Sequence, residues 1–158
     1  PLPPADLPGL AAVIRDRDLV VVADESATSR ASLLALAASG ACNGVNVRIS
    51  KCGGLVAAHS RCREVLERGW LLQVGCHVGE SSLLSAAQLI LLGACPGVRY
   101  AEGCYGKHLL RADPFPPLLQ FGYGGGRPDP PLRPGLGVDV DEGRLARAPV
   151  RRRLVAAP

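Results

Sequence analysis

The sequence predicts an α/β fold of about four consecutive βα units, and three observations carry that prediction. Short apolar or β-branched runs alternate with segments whose apolar residues fall at helical spacing. A polar residue stands at the end of each predicted strand: Asp24, Lys51, His77 and Glu102. These four are separated by 27, 26 and 25 residues, with one helix in each interval. Closed (β/α)8 barrels and open α/β sheets both place their chemistry at the C-terminal ends of the strands. The four residues are therefore expected to converge on one mouth.

The elements follow in order. Residues 1–8 are proline-rich, and a short helix with Leu10, Val13 and Ile14 on one stripe precedes the first strand. Leu19 to Ala23 is a continuous apolar run between Asp18 and Asp24, the pattern of a strand buried on both faces of a parallel sheet. Thr28 or Ser29 is placed to cap a helix through Leu33, Leu34 and Leu36, and Gly40 to end it. Val45 to Ile49 reads as a second strand ending at Lys51, which puts the lysine on the strand's C-terminal lip. Gly53-Gly54 then opens a helix bearing Leu55, Val56, Cys62, Val65 and Leu66 and stopping at Gly69. Leu71 to Val74 is the third strand, and Glu80-Ser81-Ser82 supplies a capping signal for a helix over Leu83 to Leu92. Val98 to Ala101 is the fourth strand.

Beyond Lys107 the pattern breaks down. Residues 114–137 hold seven prolines and the run Gly124-Gly125-Gly126, too irregular for a regular element, and are expected to wrap over a surface. The chain accordingly divides into a βα-repeat region, 1–112, and an irregular C-terminal segment with its tail, 113–158. Val138 to Val140 is a candidate edge strand, and disorder is expected from Leu145 onward.

Composition narrows the function classes. With 158 residues, 47% of them hydrophobic, the chain can bury one core and is not disordered as a whole. It begins at Pro1 and contains no Met, so it is expected to be a fragment or a processed piece. No apolar run reaches the roughly 18 residues of a membrane span, and no basic-then-apolar leader is visible, which predicts a soluble cytoplasmic protein. Six cysteines without a C-x-x-C pair predict buried reduced thiols rather than disulfides or a zinc site. The net charge of +4 includes Arg151-Arg152-Arg153; without interleaved aromatics this run reads as a solvated tail, and no nucleic-acid partner is expected.

Of 18 basic residues only Lys51 and Lys107 are lysine, so a lysine at a strand end is notable. Asp24, beside Glu25, is a candidate oxygen ligand for Mg²⁺, and Lys51 a candidate base for a proton next to a metal-held carboxylate. A lysine in that role must be neutral part of the time, which a neighbouring cation and exclusion of water favour. Other readings of the same residues stay open. Asp24 could form a turn or cap a helix, and Lys51 could clamp an anion with the helix that starts at Gly53-Gly54 or form an aldolase-like Schiff base. His77 could be a hydrogen-bonded lip residue and Glu80 a helix cap. His59 and His108 carry no assigned role.

Four ordered motifs together resemble the barrel domain of the enolase superfamily, in its muconate-cycloisomerase and mandelate-racemase-like branch. They are Ala23-Asp24-Glu25-Ser26, Asn46 to Gly54, Gly75 to Ser82, and Gly135 to Asp141. The likeness covers roughly residues 1 to 145. It implies the C-terminal half of a (β/α)8 (TIM-like) barrel and a Mg²⁺-dependent racemase, epimerase, cycloisomerase or dehydratase. Such enzymes abstract the proton α to a carboxylate and stabilise an enediolate. By position, Asp24 matches the metal ligand on the fifth barrel strand and Lys51 the catalytic lysine on the sixth. Glu80 and Glu102 match substrate-facing positions on the seventh and eighth, and His77 stands where it could also touch substrate.

The departures are as informative. The family's other two metal carboxylates and its Lys-x-Lys motif are not in this sequence, nor is the capping domain. Pro1-Leu2-Pro3 resembles the segment just after the fourth strand. The partners implied are a small carboxylate substrate, an N-terminal barrel half with its cap, and a further copy in a homo-oligomer. One carboxylate holds Mg²⁺ poorly, and two open strand edges favour association, so the isolated chain is expected to be inactive and sticky. A non-catalytic half-barrel that pairs with itself is the alternative from another class.

Overall fold

A computed structural model describes residues 3, 5–122 and 133–148. Four parallel strands, β1 (Val22–Ala23), β2 (Gly44–Val47), β3 (Leu71–Val74) and β4 (Tyr100–Ala101), form one sheet in sequence order. Val22 pairs with Gly44, Gly44 with Leu71, and Gln73 with Tyr100. The helices are α1 (Leu7–Arg17), α2 (Arg30–Ser39), a single turn α3 (Ile49–Cys52), α4 (Leu55–Glu67), α5 (Ser82–Ala94), a short α6 (Gly106–Leu109) and α7 (Glu142–Arg147).

β2 is buried at every position because a strand lies on each side of it and α4 packs on it. Val45, Val47, Leu72 and Val74 join Leu33, Leu36, Ala58, Cys62, Val65 and Leu91 from the helices in one apolar core. Burying such side chains contributes about 1.5–3 kcal/mol each and fixes the sheet against the helices. Strand residues alternate faces, so Asn46 and Gln73, between core residues, point away from that core.

Several expectations are corrected. The first strand is only Val22–Ala23; Leu19 and Val20 are 52% and 60% exposed, not buried on two faces. The reason is Asn43, whose amide accepts from Val21 N (2.7 Å) and donates to Leu19 O (3.2 Å), taking the place of ladder bonds. The second strand ends at Val47, and Ile49–Cys52 coils into α3, closed by Gly53 at φ +88°. Lys51 therefore sits on a helical turn and not on a strand lip. Val56, expected on the apolar stripe of α4, is 85% exposed.

Ser29, not Thr28, caps α2, with Ser32 completing the reciprocal box. Helix α5 runs from Ser82 to Ala94, and its cap is not local. Glu80 bonds elsewhere, Ser81 makes no side-chain cap bond, and the Ser82 N–H donates instead to Asp113 Oδ2 at 2.7 Å. β4 spans two residues rather than four. Val138–Val140 is not a strand, although Asp139 N and Asp141 N each donate to a proline carbonyl, Pro116 and Pro114, at 2.7 Å. The region after residue 113 is not wholly irregular either, since α7 carries Leu145 in a helix whose Asp141 cap accepts from Arg144 N. Gly124-Gly125-Gly126 and Arg151-Arg152-Arg153 lie outside the described residues.

All six cysteines are free, five buried and Cys52 partly so. Burial pushes the Cys42 thiol up to about 11 and, with Glu80 and Glu102 beside it, Cys76 to about 12. Among the described residues no helix is long and apolar enough to cross a membrane.

Candidate functional site

The site is assembled where the chain leaves each strand. Asp24 and Glu25 follow β1 directly. Arg48 continues β2 in extended conformation (φ −119°, ψ 128°), so it shares a face with Asn46, two residues back. The α3 turn then carries Lys51 back over Asp24. Lys51 Nζ lies 2.5 Å from Asp24 Oδ1 and 2.8 Å from Glu25 Oε1, and the other Asp24 oxygen accepts from Arg48. The Lys51 side chain is only 15% exposed. Its hydrogen bond holds Glu25 below the usual carboxylate range.

Glu102, at the end of β4, is filled with protein donors. Oε1 accepts from Asn46 Nδ2 and Gln73 Nε2, both at 2.8 Å, and Oε2 accepts from Cys76 N at 3.0 Å and the Cys76 thiol at 3.5 Å. Arg48 Nη2 stands 3.9 Å away and links Glu102 to Asp24. Burial works against ionisation of Glu102, but the Cys76 N–H, the Asn46 amide and Arg48 outweigh it and place its carboxyl below 4.5. Glu102 thus ties the C-terminal ends of β2, β3 and β4 into one lattice.

Glu80 occupies the loop after β3, where Oε2 accepts from His77 N (2.8 Å) and Oε1 from the Ser85 hydroxyl (2.9 Å). Burial raises it above 4.5 against those two donors. His77 itself is exposed, with Nδ1 3.4 Å from Ser50 Oγ.

The expected mouth is therefore present in a particular form. Asp24 and Lys51 are in direct contact, Glu102 joins them through Arg48, and His77 and Glu80 form a neighbouring loop reached through Ser50. The carboxylates of Glu80 and Glu102 are engaged by protein donors; Glu80 is buried, the Glu102 side chain is 25% exposed, and His77 is exposed. Sequence reasoning assigned no role to Arg48, Asn46 or Gln73. The signal for two of them was alternation: Asn46 and Arg48 are the inward positions of the strand that leads to Lys51. Nothing local marked Gln73, which matters only through β4.

The donor set does not amount to a metal centre. Both Asp24 oxygens are engaged by cations, Glu25 is 62% exposed, and no group of three or more His, Cys, Asp or Glu side chains that could hold an ion occurs among the described residues. Mg²⁺ gives up its water reluctantly and wants several oxygens, so these residues do not fit it by themselves. What they build is a lysine ammonium gripped by two carboxylates beside a guanidinium. Opposite charges balance there, at the ends of parallel strands where α/β folds place their ligands.

Comparison with known proteins adds the following. The family model described as enolase C-terminal domain-like matches residues 1–144. The chain is 30% identical over 146 residues to muconate cycloisomerase 1 of Rhodococcus opacus, covering 89% of this chain and 37% of that one. It is 36% identical over 124 residues to the L-Ala-D/L-Glu epimerase of Escherichia coli, covering 78% and 36%. The crystal structure of an N-succinyl Arg/Lys racemase from Bacillus cereus superposes with a TM-score of 0.82 at 25% identity, covering 96% of this chain and 39% of that one. The chain thus spans well under half the length of the relatives it matches.

Proposed function

This chain belongs to the enolase C-terminal domain-like family, in the branch of muconate-lactonizing enzymes and racemases, and from that premise we propose that it carries the Lys51 side of an active site for proton transfer α to a carboxylate. The reaction is a racemisation, epimerisation, cycloisomerisation or dehydration of a small carboxylate through an enediolate. The supporting observation is the placement of Lys51: a 15% exposed ammonium brought by α3 to 2.5 Å from Asp24 at the strand ends. Lys51 returns a proton to, or takes one from, the substrate's α-carbon. Arg48 positions Asp24 and Glu102. Glu80 holds the backbone of His77, which faces substrate at the rim. The other lysine, Lys107, lies outside this cluster and bonds Gln120 at 2.9 Å. Mg²⁺ is implied by the family, and the described residues do not by themselves fit it.

The test is α-proton exchange in D2O by this chain joined to an N-terminal barrel half with its cap, followed by NMR with a panel of dipeptides, N-acyl amino acids and muconate. Lys51→Met is expected to abolish exchange. Exchange that survives this substitution overturns the assignment of Lys51.

One observation favours a second reading. Leu19 and Val20 at the β1 edge and Tyr100 at the β4 edge are more than half exposed, as at strand edges awaiting a partner. In that reading the chain is a half-barrel module that pairs with another copy. A discrete dimer in solution without exchange activity supports it.

A further inference from the structure

Away from the Lys51–Asp24 cluster, a cavity of about 580 Å³ opens between α6 and α7, and its walls carry Lys107, Arg111, Arg144 and Arg147. One acidic residue, Asp113, lies on the same walls, is 8% exposed and pairs with none of these cations through its carboxylate. Its oxygens are used by backbone donors: Oδ2 by Ser82 N at 2.7 Å and Oδ1 by Phe115 N at 3.0 Å. Arg144 alone has a carboxylate partner, Asp141 at 3.1 Å, and its Nη1 donates to the Asp113 carbonyl at 3.2 Å, which fixes the guanidinium at the rim. Among the described residues Lys107 bonds only the neutral Gln120 amide, at 2.9 Å. Arg111 and Arg147 have no ion-pair partner among the described residues. Four cations and one carboxylate thus line one concavity, three of the cations without an ion-pair partner among the described residues, and an excess of one sign on a concave wall concentrates its field.

The chemistry of the walls narrows the ligand. Guanidinium forks present paired N–H donors that match phosphate oxygens, and two unpaired ones lie here. The volume falls within the roughly 300–1,000 Å³ typical of small-molecule sites. Leu110 and Leu118 complete the walls with apolar surface that an organic body could cover. We propose that this cavity is a binding site for a phosphate-class anion, with the phosphoryl group on Arg111 and Arg147. The site is separate from the proton-transfer site and independent of the function proposed for it.

The test is calorimetric titration of the full chain with inorganic phosphate and with phenyl phosphate, at constant ionic strength in chloride. Saturable binding at one site is expected. Arg111→Gln with Arg147→Gln should weaken it at least tenfold. Both side chains are exposed, so the fold does not depend on them. The control pair Arg15→Gln with Arg63→Gln removes the same charge from exposed helix surface and should change affinity less than twofold. Tighter binding of phenyl phosphate identifies an organic phosphate as the ligand, and equal binding identifies the free ion; either ranking supports the site. Absence of saturable binding, or equal losses in the two double variants, overturns it.

Discussion

Gly75 offers the sharpest test of the lattice that holds the strand ends. A Cβ at this position would lie 2.4 Å from Asn46 Oδ1 and 2.8 Å from its Nδ2, both well inside contact distance. Asn46 is 4% exposed and its amide is committed, because Nδ2 donates to Glu102 Oε1 at 2.8 Å. In Gly75→Ala the amide has to swing away and gives up that bond. A hydrogen bond to a charged group is worth about 1.5–3 kcal/mol, and a methyl forced into packed space costs about 1–3 kcal/mol. The two overlap, and the stiffer unfolded chain returns about 0.4–1 kcal/mol. A net loss of about 2–3 kcal/mol is expected from urea unfolding followed by circular dichroism, with the slope unchanged. Asn46→Ala vacates the space, so in that background Gly75→Ala should cost under about 1 kcal/mol, a coupling of about 2 kcal/mol. If Gly75→Ala costs the same with and without Asn46, the clash is not with the amide and the reasoning fails.

Two further perturbations address the surrounding structure. Glu80 retains its proton to higher pH in the folded chain than in the unfolded one, so above about 4.5 the unfolded state releases its proton first and stability falls as pH rises through the folded value. Glu80→Gln can keep both bonds, accepting from His77 N and donating to Ser85 Oγ, without this penalty; the variant should gain on the wild type as pH rises from about 4.5, and parallel stability curves would count against the assignment. Asp113→Ala leaves the Ser82 and Phe115 N–H groups without acceptors and should cost about 2–3 kcal/mol, read as a Tm lower by roughly 4–12 °C. An unchanged Tm would show that α5 does not depend on its distant cap.

The exposed edges bear on how the chain is handled in any of these experiments. Leu19, Val20 and Tyr100 present apolar surface at the two ends of the sheet, and unpaired parallel edges invite association. Unfolding and binding measurements therefore belong at low protein concentration, with the oligomeric state followed alongside.

Wherever the deciding interaction was local, the sequence determined the outcome. Apolar periodicity placed four strands and the long helices between them, since burying one face of each element is a property of neighbouring residues. Ser29 and Gly40 marked the ends of α2, and the regular interval from Asp24 through Lys51 and His77 to Glu102 picked out residues that the strand ends bring near one another. The tertiary structure decided what depended on side chains distant in the chain. Asn43 cuts β1 short by bonding Leu19 and Val21, Asp113 caps α5 from 31 residues away, and Glu102 is filled by Asn46, Gln73 and Cys76 from two other strands. Local spacing cannot show whether a carboxylate's lone pairs are already taken. That is why Glu80 and Glu102 could be placed near the strand ends from the sequence while only the folded arrangement showed which protein donors their carboxylates accept from.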